Sequence, residues 1–306
     1  MTTELPTLDS TTSDSPQALK SMGLLIGNTP LIRLGRIGKG RCPIFVKMES
    51  LNPSGSVRDR YIAEIVERAF TAQQLRSGDE IALAGINDSA VSAAFVASNL
   101  GLSATIFAPV SSSQRLVPLI ERYGAKIRWT EDAKGLEGAV LEAAAWARKG
   151  FNRLYVDGYR QQAVKESYRN IAMEIIDALN GCSLGGFVTS VTTGGTFREV
   201  SRVLRSVQVN LEVRGARLVE NEFATAEENP FIRPVNLKEI WDLRDQISAE
   251  EGLLLGPKGA ACMKLALELE DELPPGRAIV ALNPDAGQRY LGWEDIELFK
   301  ATFVPN

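Results

Sequence analysis

Histidine is absent from all 306 residues. That excludes Ser–His and Cys–His nucleophile pairs, imidazole metal sites and imidazole acid–base catalysis, so proton transfer falls to Asp, Glu, Lys, Tyr, Cys or water. Cysteine is scarce as well. Cys42, Cys182 and Cys262 are too few and too scattered for a disulfide framework or a thiolate cluster, and read as small apolar packing residues. No apolar run reaches membrane-spanning length, and the N-terminus lacks a basic segment leading into an apolar one. Neither a membrane partner nor secretion is therefore expected, and the expected location is the cytoplasm. A net charge of −4 also lacks the basic excess that a nucleic-acid surface requires.

What is present is a rhythm. Short β-branched runs such as Ile44-Phe45-Val46, Ile81-Ala82-Leu83, Ala104-Thr105-Ile106-Phe107 and Lys126-Ile127-Arg128-Trp129 alternate with longer amphipathic stretches near 59–71, 89–100, 114–123 and 136–149. A second series follows, with strand-like runs at 154–156, 186–188, 211–213 and 278–280 and helical ones near 161–179 and after Thr196. Such alternation predicts an α/β fold with mainly parallel sheets wrapped by helices. We expect two open αβα lobes with a cleft between them: a smaller lobe over 46–150 and a larger one built from 21–45 plus 151–306. Residues 1–20 are expected to form a flexible tail, because Met1 to Ser15 hold much Thr, Ser and Asp and few large apolar groups. In open α/β sheets the ligand cleft lies at the carboxyl ends of the strands, so the loops there are the candidates.

Thr192-Thr193-Gly194-Gly195-Thr196 follows a β-like run and opens a helix, which gives free backbone N–H groups and a helix dipole suited to an anion. Gly85-Ile86-Asn87-Asp88-Ser89-Ala90 also opens a helix, and Asp88 has a capping role open to it. Lys258 stands at a third helix start, in Gly256-Pro257-Lys258-Gly259-Ala260-Ala261.

Ile26-Gly27-Asn28-Thr29-Pro30-Leu31 and Asn52-Pro53-Ser54-Gly55-Ser56-Val57-Arg58-Asp59-Arg60 resemble motifs of the cysteine synthase and cystathionine β-synthase family, the fold-type II pyridoxal-phosphate (PLP) enzymes. Pro284-Asp285-Ala286-Gly287-Gln288-Arg289-Tyr290-Leu291 extends the resemblance close to the C-terminus, as a scaffold motif. The resemblance implies that position 58 is where the family's Schiff-base lysine stands. Here it is Arg58, whose guanidinium stays protonated and offers no amine lone pair. It further implies that Thr192–Thr196 is the cofactor-phosphate loop, with Glu199 replacing its last glycine. Asp88 stands for an Asn facing the cofactor's ring oxygen, and Lys258 falls near a Ser that supports the pyridine nitrogen. Asp157-Gly158-Tyr159 replaces an Asn-Gln-Phe that contacts substrate, and Glu227-Glu228-Asn229-Pro230-Phe231 stands where a glycine-rich loop is expected.

These changes set the expectations. Arg58 pairs with Asp88 and fills part of the PLP site, and Asp88 repels a substrate carboxylate. No cofactor is expected, or PLP held non-covalently at most. The chain then acts as a pseudoenzyme or a PLP-independent repurposed protein. Its cleft takes a small anionic molecule, or it serves as a regulatory subunit in a homodimer or hetero-complex linked to amino-acid metabolism. Asp88, Asp157, Tyr159 and Lys258 are the acid–base candidates. The alternative is a PLP-dependent β-replacement enzyme that uses Lys258 or Lys47, or a non-PLP enzyme in specialised metabolism.

Overall fold

The protein's structure is a computed structural model that describes residues 25–157, 162–219 and 229–291. Two sheets organise it. The larger has six strands in the order β1-β2-β10-β7-β8-β9, formed by β1 (Leu31–Arg33), β2 (Ile44–Met48), β7 (Leu184–Ser190), β8 (Glu212–Leu218), β9 (Ile232–Val235) and β10 (Ala278–Asn283). The smaller has four strands in the order β5-β4-β3-β6, formed by β3 (Glu80–Ala84), β4 (Ser103–Pro109), β5 (Lys126–Thr130) and β6 (Arg153–Tyr155). β1 pairs antiparallel with β2, and every other neighbouring pair is parallel.

Alternation along the strands decides which helices cover which face. Ile81, Leu83 and Ile106 of the smaller sheet and Phe187, Val280 and Leu282 of the larger all point into one shared apolar core. That core also takes the buried faces of α1 (Arg58–Thr71), α2 (Asp88–Asn99), α5 (Gln162–Leu179) and α6 (Gly195–Val207). The intervening residues face the other way. Ala82 and Phe107 meet Ala139 and Ala143 of α4 (Gly135–Arg148), small residues that let this helix lie close to the sheet. Val188, Ile279 and Ala281 pack against α7 (Lys238–Glu251) and α8 (Pro257–Glu272) on the outer face of the larger sheet. The short α3 (Val117–Arg122) completes the helices that flank the smaller sheet.

Among the described residues, no helix is long and apolar enough to cross a membrane, and no cluster of acidic or cysteine side chains could hold a metal ion.

Beneath the Arg58 loop lies a buried ionic cluster. Arg60 grips Glu49 at 2.6 and 2.7 Å and Glu174 at 2.7 and 2.8 Å. Lys47 Nζ donates to the Thr29 carbonyl at 2.5 Å, to Thr29 Oγ1 at 2.6 Å and to Glu174 at 2.5 Å. Paired charges of this kind are tolerable inside a protein because each cation is matched and hydrogen-bonded. The cluster ties β2, α1 and α5 together and so fixes the loop that carries Arg58.

Candidate functional site

The 52–60 loop is also pinned from the other side. Val57 N donates to Pro284 O at 2.9 Å, and Ala286 N to Gly55 O at 3.1 Å, so the loop lies against the segment that follows β10. Arg58 is the first residue of α1, its backbone N–H donating to Ser56 Oγ at 3.2 Å. Its half-buried side chain faces a cleft that is also lined by Asp88, Thr189, Ser190, Thr192–Thr196 and Lys258. Val57, Leu282 and Pro284 supply the apolar part of the wall.

Thr192–Thr196 sits in that cleft as the sequence predicts, between the end of β7 and the start of α6. Gly194 adopts φ 76°, which favours glycine. A Cβ on Gly195 would stand 3.2 Å from the Tyr168 ring, so the ring packs directly on the loop backbone. The first turn of α6 leaves its N–H groups without helical acceptors. Thr189 lines the same cleft, and its Oγ1 is fully buried with no hydrogen-bond partner among the described residues. An orphaned buried hydroxyl is uncommon and marks a place where a ligand oxygen fits.

Asp88 opens α2, but the helix cap is Asn87, whose Oδ1 accepts from Ser89 N at 2.9 Å and Ala90 N at 3.3 Å. Asp88 is therefore free to reach across the cleft. Its Oδ2 accepts from Lys258 Nζ at 3.0 Å, and its Oδ1 from Arg289. The expected pairing with Arg58 is replaced by these two cations. Arg58 instead donates to Tyr168 Oη at 3.2 Å, and its charge adds to the field around Asp88. Burial pushes the Asp88 carboxyl up, but Lys258 and Arg289 pull it further down, so it lies well below the usual range. The predicted repulsion of a substrate carboxylate is corrected on the same ground, because three cations surround this one carboxylate.

Lys258 Nζ also lies 3.4 Å from Asp285, whose Oδ2 accepts from Tyr290 at 2.8 Å. Burial alone would lower the Lys258 ammonium, yet Asp88 and Asp285 raise it above its ordinary value, while burial pushes Asp285 up. Lys47, the other lysine proposed from the sequence, is 1% exposed inside the ionic cluster and does not line the cleft. Asp157 follows β6 and is likewise outside the described lining, and Tyr159 lies outside the described residues. Arg289, Thr189 and Tyr168 were missed by the sequence reading. Only Arg289 carries a signal in the sequence, within the Pro284–Leu291 motif.

The family described as pyridoxal-phosphate dependent enzyme matches residues 22–232. The chain belongs to that family. It is 30% identical to cysteine synthase A of Escherichia coli (strain K12) over 302 residues, covering 88% of this chain and 92% of that one. It is 28% identical to a probable cysteine synthase of Bacillus subtilis (strain 168), covering 87% and 94%. The solved O-ureido-L-serine synthase superposes with a TM-score of 0.82 at 26% identity, covering 91% and 94%. The O-acetylserine dependent cystathionine β-synthase of Helicobacter pylori, at 23% identity and a TM-score of 0.78, shares the fold.

Family membership overturns the expectation that no cofactor, or PLP held non-covalently at most, is involved. PLP is the cofactor the family implies. The residues fit its phosphate: the Thr192–Thr196 loop and the Thr189 hydroxyl would hold that group. Among the described residues that line the cleft, Lys258 carries the amine. Asp88, matched to a residue facing the cofactor's ring oxygen, and Lys258, matched to one near its pyridine nitrogen, are joined by an ion pair.

Proposed function

We propose that this cysteine synthase-like chain has lost the lysine linkage at position 58 and keeps a cleft that binds a phosphorylated small molecule, PLP being the one the family implies. The observation that carries this reading is that Arg58 lines the same cleft as the Thr192–Thr196 loop and the unpartnered Thr189 hydroxyl. PLP, when bound, supplies an electron sink for carbanion chemistry on amino acids. The chain's own residues do the rest. The α6 N-terminus and Thr189 orient the phosphate, Arg58 keeps the cleft cationic, and Asp285 holds or takes a proton at Lys258 Nζ. Thermal-shift titration with PLP, pyridoxal and inorganic phosphate tests the cleft, with stabilisation by the two phosphate-bearing probes expected. After PLP addition and borohydride, an Arg58→Lys variant should carry an adduct at position 58. If neither phosphate-bearing probe shifts the unfolding midpoint of wild type or variant, the reading is wrong.

A second reading is favoured by the position of Lys258, the described lysine that lines the cleft. In it, Lys258 supplies the amine for a PLP-dependent β-replacement. Borohydride trapping followed by peptide mapping to Lys258, with loss of the adduct in Lys258→Met, supports it. Absence of any Lys258 adduct leaves a catalytically retired protein with a regulatory or assembly role, which co-purification as a stable dimer or hetero-complex would support.

A further inference from the structure

Arg58 is more than a lost lysine. Its Nη1 donates to Tyr168 Oη at 3.2 Å, and the Tyr168 ring packs on Gly195 of the anion loop. One side chain thus touches both the guanidinium and the loop, and it fixes the distance between them. A guanidinium presents five donors in a rigid fork that suits phosphate oxygens, and it remains charged when buried. α6 contributes unsatisfied N–H groups and a positive dipole end over its 13 residues. Thr189 lines the same cleft, and its buried Oγ1 has no hydrogen-bond partner among the described residues. Lys258 and Arg289 both hold Asp88, and the Arg198 guanidinium reaches the Gly194 side of the loop.

We propose that Arg58 is itself an anion ligand of the cleft, positioned by Tyr168 to bind a phosphomonoester dianion together with the α6 N-terminus and Thr189. This rests on the reading that the cleft takes a phosphorylated molecule, and it adds the residue that would select for the phosphate's charge. The same chemistry could come from PLP or from a free phosphate ester, and the probes separate the two sources.

The experiment is calorimetric titration of the full chain with inorganic phosphate, PLP and pyridoxal, for wild type, Arg58→Gln, Arg58→Lys and Tyr168→Phe. Hydrogen bonds to a charged group predict that Arg58→Gln weakens both phosphate-bearing probes roughly 10- to 100-fold and leaves pyridoxal unchanged. Arg58→Lys should keep inorganic phosphate within about tenfold of wild type, because the charge survives without the fork. Tyr168→Phe should cost only a few-fold, as expected of a positioning residue. A phosphate ester loses its second proton near pH ~6, so wild-type affinity should rise from pH 5 to pH 7.5, more steeply than in Arg58→Gln. That slope separates direct anion contact from a general loss of structure.

PLP binding far above inorganic phosphate identifies the cofactor as the source, and comparable affinities identify a free ester; both support the proposal. If folded Arg58→Gln binds phosphate with wild-type affinity and pH slope, the role of Arg58 is overturned while the cleft reading stands. If wild type binds neither phosphate-bearing probe, both fall.

Discussion

Lys258 Nζ donates to Asp88 Oδ2 at 3.0 Å, joining the start of α8 beside the larger sheet to the start of α2 beside the smaller one. Both residues are 8% exposed, so the contact is a bridge inside the cleft rather than a surface ion pair. Arg289 reaches the same carboxylate from the segment after β10 and also binds the Ser54 carbonyl. The 52–60 loop, α2 and the C-terminal segment therefore converge on Asp88.

Breaking that convergence should be costly. Asp88→Asn leaves two buried cations facing a neutral amide, and loss of one member of a buried pair typically costs about 3–5 kcal/mol. Lys258→Met in the same background removes one of the cations left behind. The double variant should then be more stable than the sum of the two single effects predicts, with a coupling of about 1–3 kcal/mol. Urea denaturation of the four proteins measures this. Strict additivity would show that the two groups do not depend on each other.

The buried cluster under the Arg58 loop predicts a contrast with the surface. Glu49 is fully buried and accepts from Arg60, Asn52 and Thr29, with Lys47 at 3.7 Å. Glu49→Gln should lose about 3–5 kcal/mol of unfolding free energy, because Glu174 is then the one carboxylate paired with Arg60 and Lys47. Glu64 binds Arg68 on the α1 surface at a similar 2.7 Å, but the partners are 44% and 28% exposed. Glu64→Gln should therefore cost under about 1 kcal/mol. Equal losses in the two variants would refute the distinction.

Much of this architecture is legible in local patterns. The runs at 81–83, 104–107 and 186–188 alternate or fill as buried strands do, and each became a strand. The Gly194-Gly195 turn after a strand also marks its loop, which does reach the cleft. Partners fixed by long-range packing left no such trace. Nothing near Asp88 in sequence points to Arg289, which is 201 positions away. Family resemblance sets Arg58 and Asp88 near one cofactor and so predicts that they pair. The structure instead gives Asp88 to residues from the far end of the chain, where charge and reach favoured a different pair. Glu174 lies on an ordinary amphipathic helix, and only the fold shows that it neutralises both Lys47 and Arg60.

Asn87 rather than Asp88 caps α2, since its side chain takes the N–H groups of Ser89 and Ala90. Asn87→Ala should cost about 1 kcal/mol through the lost cap. Asp88, engaged across the cleft, cannot substitute without breaking its own bonds. Thermal unfolding of Asn87→Ala beside wild type checks this, and an unchanged midpoint would mean that another group caps the helix.

Acid should expose the role of Glu174. Burial raises its carboxyl, but hydrogen bonds and charge from Arg60 and Lys47 bring it down to about 2 from an ordinary 4.5. An acid lowered in the folded state stabilises the fold fully above its unfolded value and loses that contribution as pH falls toward its folded value. The Glu174 contribution should accordingly be complete above about pH 4.5 and fade on the way down to about pH 2. Asp59 and Asp285 are shifted upward by burial and titrate in the opposite sense, so the wild-type curve alone mixes these signs. Subtracting the Glu174→Gln curve isolates the one group. Urea midpoints of both proteins, taken between pH 6 and pH 2, should differ most at the top of that range and converge toward the bottom. A constant gap would mean that Glu174 acts through packing and not through its charge.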